Sequence, residues 1–398
     1  MPNPNVEPLA QEYVIAARVP DPQVYFFHDP NMTRLDDGSL LIAAPLWGRN
    51  RPEIERSTWM LRSVDEGETW EELAPLPYAE ATPFVLDGQL LMFVQQSSHQ
   101  DFNLVSSDDG GHTWTQPQRV LEGPFWNIST AMVERPEALY WAMDYDAEEE
   151  MNERGRNGMV MVKHDRKGSP LDPGSWSYSN VVPRPELPDS LNGGHFPPGG
   201  SPQISRDPGC AFGWVEPNTV EVNGRIRVFN RCTIDDYSST GIAGALEYDP
   251  EADRLEFKQF VSWPGGQCKF YIIHDQQAEM YWLFANLATN SHDLLGWGER
   301  MRESGFMGGP GNERRWLYLY YSIDCLSWFP AGCVARWPNH VKRSFMYPSP
   351  VVVGDDIIML SRTSHNAGNQ HDADLCTIHR IRDFRSLAMD LHGGGLHR

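Results

Sequence analysis

One eight-residue phrase occurs twice in this chain, as Ser63-Val64-Asp65-Glu66-Gly67-Glu68-Thr69-Trp70 and as Ser107-Asp108-Asp109-Gly110-Gly111-His112-Thr113-Trp114. Both copies read Ser-x-Asp-x-Gly-x-Thr-Trp, and each follows an apolar run. Ser and Asp side chains accept hydrogen bonds from backbone N–H groups two residues on, Gly supplies φ > 0, and Trp returns a large apolar ring under the turn. The phrase predicts a self-capped hairpin turn pinned by a buried indole. It is a structural device with no group poised for catalysis, and a chain punctuated by it is built from short antiparallel strands.

Around these turns a unit recurs: an apolar strand, a turn with Asp or Asn and Gly, a second strand, then a third running into a turn and an aromatic residue. Unit one is Tyr25 to Trp47, turning at Asp36-Asp37-Gly38, followed by Trp59 to Trp70. The second runs from Thr82 through Leu86-Asp87-Gly88 to Phe102 and Trp114. A weaker third has Arg135-Pro136-Glu137 in place of the turn, and a fourth turns at Val222-Asn223-Gly224. In the fifth, Lys269 to Asn286 precedes Trp316 to Trp328, where Ser322-x-Asp324 keeps two positions of the phrase. The last turns at Gly354-Asp355-Asp356. Asn-Gly and Asp-Gly between apolar runs are hairpin signals. Six such units are what an all-β, six-bladed propeller requires, each blade burying its faces against its neighbours. The Pro/Gly/Ser-rich stretch from Pro183 to Asp207 leaves room for a seventh blade or a long loop, and 292–311 reads as a second loop.

The 398 residues are therefore read as a single domain, 1–398, because repeat-built all-β folds run long as one unit. A net charge of −21 argues against a nucleic-acid or anionic-membrane partner. A small anionic substrate held by a few clustered arginines stays compatible with it. The six cysteines, at 210, 232, 268, 325, 333 and 376, have neither zinc nor disulfide spacing and read as free, mostly buried thiols. Residues 1–17 carry no apolar stretch of the signal-peptide kind, so a soluble, cytoplasmic protein is expected.

In a propeller the innermost strands start on one face, around the axis. Here those starts are His28 and Asp29, Thr82, Asn127 and Ser129, Glu216 and Asn218, Lys269, and Tyr347. Thr82, Asn127 and Ser129 read as lining of a wet channel. The others are candidates for chemistry, and with the repeated turn they carry a resemblance. The phrase resembles the Asp box (BNR repeat) of the sialidase-like β-propellers, and the site motifs are similar to theirs. Glu216-Pro217-Asn218 through Asn223-Gly224 to Asn230-Arg231 resembles the segment carrying the family's Glu and an Arg of its carboxylate-binding triad. Phe345-Met346-Tyr347-Pro348-Ser349-Pro350 resembles the context of the family's Tyr nucleophile, and Arg314-Arg315-Trp316 stands where a further Arg belongs. The resemblance implies an exo-acting glycoside hydrolase on an acidic sugar. Tyr347 is its nucleophile and Glu216 its base, while Arg231 and Arg315 hold the substrate carboxylate. Asp29, Lys269 and His195 complete the binding site. A phenol is a poor nucleophile until a neighbouring carboxylate takes its proton, and Arg forks suit a carboxylate.

One departure is visible. Where the family opens its first blade with Phe-Arg-Ile-Pro, this chain has Phe27-His28-Asp29-Pro30. A neutral or half-charged imidazole does not clamp a carboxylate as Arg does. The acid/base role falls to His28 or to Glu53 in the loop that follows, since no Asp lies between Pro45 and Leu61. His28 also opens a rival reading, a propeller lyase on a uronic-acid glycan with His28 and Tyr347 moving the proton. A third is a propeller that binds carbohydrate without turning it over. In the tail, His371, Asp372 and Asp374 read as ordinary loop hydrogen bonding, and neither metal nor cofactor is expected.

Overall fold

A computed structural model describes residues 7–128, 130–146, 158–185, 213–233, 241–288 and 313–389. Ser129, His195, Cys210 and most of both proposed long loops lie outside the described residues. Among the described residues all regular structure is strand, apart from short 3-10 turns.

The strands form antiparallel meanders in chain order. The first sheet comprises Tyr25–Phe27 and Asn31–Arg34, both paired with Leu40–Gly48, then Ser57–Ser63 and Glu71–Glu72. Glu80–Leu86, Gln89–Gln95, Gln100–Ser107 and Gln118–Trp126 make the second meander; Val133–Glu134, Ala138–Tyr145, Gly158–Asp165 and Trp176–Tyr178 make the third. These two merge into one eight-stranded sheet where Phe125 and Trp126 pair with Tyr145 and Asp144. The next sheet holds Gly213–Val222, Arg225–Thr233, Ile242–Asp249 and Arg254–Ser262, and the following one Tyr271–Asp275, Met280–Asn286, Trp316–Ser322 and Phe329–Arg336. In the last, Ser344–Val353, Asp356–Ser364 and Leu375–Ile381 are joined by the N-terminal strand Val14–Arg18, which the repeat pattern did not reveal.

Apolar residues on both faces of each meander are buried against the meanders before and after it. Leu41, Met60, Met92 and Val105 join the first to the second; Phe93, Phe102, Trp141 and Val162 the second to the third. Tyr140, Met161, Trp214 and Val228 bridge the third and fourth, and Phe229, Trp263, Ile272 and Leu283 the fourth and fifth. Trp282, Phe284, Phe345 and Ile357 continue to the sixth, and Ile358 and Leu360 pack on Phe27 and Ile42 of the first. Side-chain amides and hydroxyls on the innermost strands stitch the same neighbours. Asn31 donates to the Ala81 carbonyl (2.8 Å), Asn218 accepts from Ala131 N (3.2 Å) and Ile272 N (3.3 Å), Asn286 donates to Phe345 O (2.7 Å), and Ser349 Oγ accepts from Met32 N (2.9 Å). Thr82 and Asn127 belong to this buried stitching and do not line a wet channel: Asn127 donates to Ala142 O at 2.8 Å and Thr82 accepts from Asn31.

The repeated phrase folds as its chemistry dictates. In the first copy Ser63 Oγ accepts from Gly67 N (2.8 Å), Asp65 accepts from Thr69 N (2.9 Å), and the Trp70 indole donates to Gly67 O (3.1 Å). The second repeats these bonds at 2.9, 2.9 and 3.1 Å. Both indoles are half-buried, less than expected, because the turns sit at the outer rim. Cys232, Cys325, Cys333 and Cys376 are free and buried, as their spacing suggests, and Cys268 is buried too.

Candidate active site

Glu216 and Tyr347 occupy matching places in the fourth and sixth meanders. Each interrupts its innermost strand at a bulge, with the register shifting between Val215 and Asn218 and between Met346 and Ser349. Each adopts a left-handed backbone, φ 62° and 51°, and each is followed by proline. Bulges of this kind re-aim a side chain, and a non-glycine residue held at positive φ marks local strain. Here both side chains turn toward one point: Tyr347 Oη donates to Glu216 Oε1 at 3.1 Å, although 131 residues separate them.

A second regularity supplies the cations. In each of the six meanders, the seventh residue of the strand after the first hairpin turn falls at the same level: Leu46, Gln95, Asp144, Arg231, Asn286 and Arg362. All are buried, and five of the six are polar. Arg231 pairs across the sheet with Val215, and Arg362 with Met346, each one residue before the bulge. Arg231 Nη1 donates to Glu216 Oε2 (2.8 Å) and to Tyr347 Oη (3.5 Å), and its Nε to Gln267 O (2.9 Å). The Arg362 guanidinium lies 4.8 Å from the centre of the Tyr347 ring, with Arg314 at 5.8 Å. Arg314 rather than Arg315 therefore faces the phenol. Arg315 turns instead to Glu313 (2.6 Å) and the Pro338 carbonyl (2.9 Å).

Arg362 also joins Tyr347 to a second group. Its Nη1 is 3.4 Å from Asp29 Oδ1, and Asp29 Oδ2 is 2.6 Å from His28 Nδ1. Glu80, from the second meander, approaches the same imidazole nitrogen at 3.6 Å and accepts from Ser98 Oγ at 2.8 Å. The His28 ring stacks on Trp47 at 3.8 Å, and the Arg56 guanidinium covers Trp47 at 3.6 Å. Lys269 is buried and donates to the Pro348 carbonyl at 2.8 Å, so it faces the Tyr347 bulge from below. Glu53 is exposed on the loop that carries Arg56. In the tail, Asp374 caps His365 N and Asn366 N, while Asp372 accepts from Asn369 and pairs with Arg49.

Burial and neighbours set the protonation states. Burial pushes the Tyr347 phenol up to about 12 and Glu216 adds to that, against Arg231 and Arg314. Burial would lower His28, but the Asp29 and Glu80 carboxylates outweigh it and raise the imidazole to about 9. At neutral pH His28 is thus an imidazolium, not the neutral or half-charged ring expected from the sequence. Burial lowers Lys269 to about 7 despite Glu216 and Asp29, and raises Asp144 well above the usual carboxylate range. A cavity of about 1020 Å³ opens elsewhere, at the far ends of the innermost strands, lined by Glu134, Glu221, Ile273 and His274; it contains none of these groups.

Arg362, Arg314, Glu80, Asp144 and Trp47 were not among the site residues expected from the sequence. Aligning the repeats on their hairpin turns would have found Asp144 and Arg362, because each is an ionisable residue at the seventh position of the strand that follows the turn.

No family model matches the chain, and no curated protein matches it in sequence. Solved structures do match. The likeness spans 95% of this chain and 99% of the α-L-arabinanase of Penicillium chrysogenum complexed with arabinobiose, at 12% identity and a TM-score of 0.57. For a protein of unknown function from Dyadobacter fermentans it covers 96% and 100% at 13% identity, TM-score 0.61. For Trypanosoma rangeli sialidase it covers 92% of this chain at 15% identity, TM-score 0.57, and the chain spans only 56% of that longer protein. At such identities the likeness defines the architecture, an all-β fold of the β-propeller type.

Proposed function

We propose that this protein is a single six-bladed β-propeller, with the eight-stranded sheet counting as two blades, and a glycoside hydrolase of sialidase type acting on an acidic sugar. The arabinanase and sialidase among its structural neighbours support glycosidic-bond cleavage as the class of reaction. One observation carries the assignment: a tyrosine hydroxyl 3.1 Å from a buried carboxylate, with one guanidinium donating to both. A phenol raised to about 12 is not ionised at rest, so it attacks only as a base removes its proton, and Glu216 Oε1 is the oxygen in reach.

In the proposed cycle Tyr347 Oη attacks the anomeric carbon as its proton passes to Glu216. The imidazolium of His28 protonates the departing oxygen. Water then cleaves the aryl glycoside, its proton taken by the now neutral His28, and Glu216 returns the first proton to Tyr347. An uncharged nucleophile suits an anionic substrate, which a carboxylate nucleophile would repel. Arg231, Arg314, Arg362 and His28 carry four positive charges against three on Glu216, Asp29 and Glu80, a local excess that favours an anion inside a chain of net charge −21. His28 is preferred to the exposed Glu53 as acid because it is held in the cluster. A protonated His28 would be the acid in the lyase reading, leaving Tyr347 to take the proton.

The test is release of aryl alcohol from aryl sialoside, aryl uronide and aryl arabinofuranoside, with absorbance of an unsaturated uronate followed on a uronic-acid polysaccharide. Tyr347→Phe is expected to lower turnover at least ~10³-fold with the melting temperature unchanged. Retained turnover would remove Tyr347 from the chemistry, and growth of the unsaturated product would make the protein a lyase.

A further inference from the structure

The two bulged residues are held from outside their own strands, in both cases by a buried ionisable side chain of the preceding meander. Asp144, fully buried at the seventh position of its strand in the third meander, accepts a hydrogen bond from the Glu216 backbone N–H through Oδ2 at 3.0 Å. Lys269, 1% exposed at the start of the fifth, donates from Nζ to the Pro348 carbonyl at 2.8 Å, closing the bulge at Tyr347. Neither side chain is needed by the cycle above. A backbone amide or carbonyl displaced from ladder pairing by a bulge must find a partner when buried, and a neutral Asn or Ser would suffice, as Asn218 and Ser349 show on the same strands.

We propose that Asp144 and Lys269 are positioning residues for Glu216 and Tyr347, each bracing one left-handed bulge so that the two side chains meet at hydrogen-bond distance. This rests on the reading of Glu216 and Tyr347 as base and nucleophile. The geometry explains why braces are required. Relaxation of either residue from positive φ toward the ordinary β region would swing its side chain off the axis, and the hydrogen bond spans only two side chains from sheets on different sides of it.

Electrostatics suits the braces to their places. Asp144 faces Glu216 and Arg231; its carboxyl, raised well above the usual range by burial, avoids a second anion beside the base. Lys269 faces Glu216 and Asp29, with the Tyr271 and Tyr347 rings at 5.5 and 5.9 Å; burial brings it to about 7, so it adds less than a full cation beneath the arginines. Losing the Lys269 proton as pH rises through about 7 does not remove all its N–H donors, so the brace persists across its titration.

The experiment uses the full chain and two readouts. Hydrogen exchange by mass spectrometry follows the peptides covering 213–222 and 344–353 in wild type, Asp144→Ala, Asp144→Asn, Lys269→Met and Lys269→Arg, whether or not a substrate is known. Kinetics with an aryl sialoside and an aryl arabinofuranoside follow kcat and KM separately. Asp144→Ala is expected to speed exchange in 213–222 alone, and Lys269→Met in 344–353 alone, each at least ~10-fold, with kcat lowered ~10²-fold and KM changed less than ~3-fold. Asp144→Asn, which keeps an accepting oxygen, and Lys269→Arg, which keeps a donor, are expected to recover at least ~10-fold of the lost kcat. Wild-type exchange in the two truncating variants overturns the bracing, as does loss of kcat that the conservative variants fail to recover. Variants that fold and exchange as expected beside a wild type inert on every glycoside would leave the braces standing and overturn the assignment of the reaction instead.

Discussion

The His28 imidazole is the residue on which the chemistry of this site turns. Three features act on it together: a carboxylate at 2.6 Å, a second at 3.6 Å and an indole stacked at 3.8 Å. Because the folded protein raises His28 to about 9 against an ordinary value of 6.5, folding stabilises the protonated form. That contribution is complete below pH 6.5 and is lost as pH climbs through 9, a span of about 3 kcal/mol. Comparing wild type with His28→Gln by thermal unfolding from pH 6 to pH 9.5 isolates it, since Lys269 and the other groups titrate in both. The stability advantage of wild type is expected to shrink with rising pH. A pH-independent difference would mean that His28 is neutral, and would restore it as a proton acceptor. Glu216→Gln is a second test at this scale. It removes the proposed base and leaves the buried Arg231 facing a neutral amide, so, on that proposal, turnover should vanish, and stability should fall by about 3 kcal/mol in chemical denaturation. An unchanged midpoint would show that the pair contributes no net stability.

At the scale of the element, the hairpin turn explains why the architecture could be read directly. Gly67, at φ 89°, sits where a Cβ would lie 3.1 Å from the Ile378 methyl, so Gly67→Ala is expected to cost about 1–2 kcal/mol in unfolding while leaving kcat and KM as they are. A kinetic change there would couple the outer turns to the site. The Ser, Asp, Gly, Thr and Trp of that turn make all their defining bonds within eight residues, and for that reason spelling alone revealed them. Glu216 and Tyr347 were legible through the motifs that resemble those of a known family, but the bulges that aim them were not, because a bulge is a register between paired strands. Glu80 was not legible, because what gives it a role is a contact between meanders that reaches His28 across 52 positions of chain. The choice of Arg314 over Arg315 depended on which of two adjacent side chains faced inward, and no count of residues from the fifth hairpin decides that. The N-terminal strand escaped notice for the opposite reason: Val14–Arg18 is a lone strand whose partners, Leu375–Ile381, lie at the other end of the chain.

At the scale of the whole molecule, two ends of one sheet close the ring and two signs of charge oppose each other. Val14–Arg18 pairs with Leu375–Ile381, and Ser349 ties the last innermost strand to Met32 of the first, so the positions of Tyr347 and His28 depend on contacts between the chain's extremities. The chain carries a net charge of −21, whereas three guanidinium groups, of Arg231, Arg314 and Arg362, lie around Tyr347. An anionic substrate therefore approaches against a long-range repulsion and binds through a short-range attraction. Salt separates the two, because the Debye length falls from about 30 Å at 10 mM to about 8 Å at 150 mM, while contacts among buried groups are screened far less. For an anionic aryl glycoside that is turned over, kcat/KM is expected to rise about three- to tenfold between those concentrations, the change lying in KM. A neutral aryl glycoside measured alongside should show no such rise. If kcat/KM for the anionic substrate falls instead, the cationic cluster steers its ligand from solution, and the net negative charge of the chain has no part in selecting what binds.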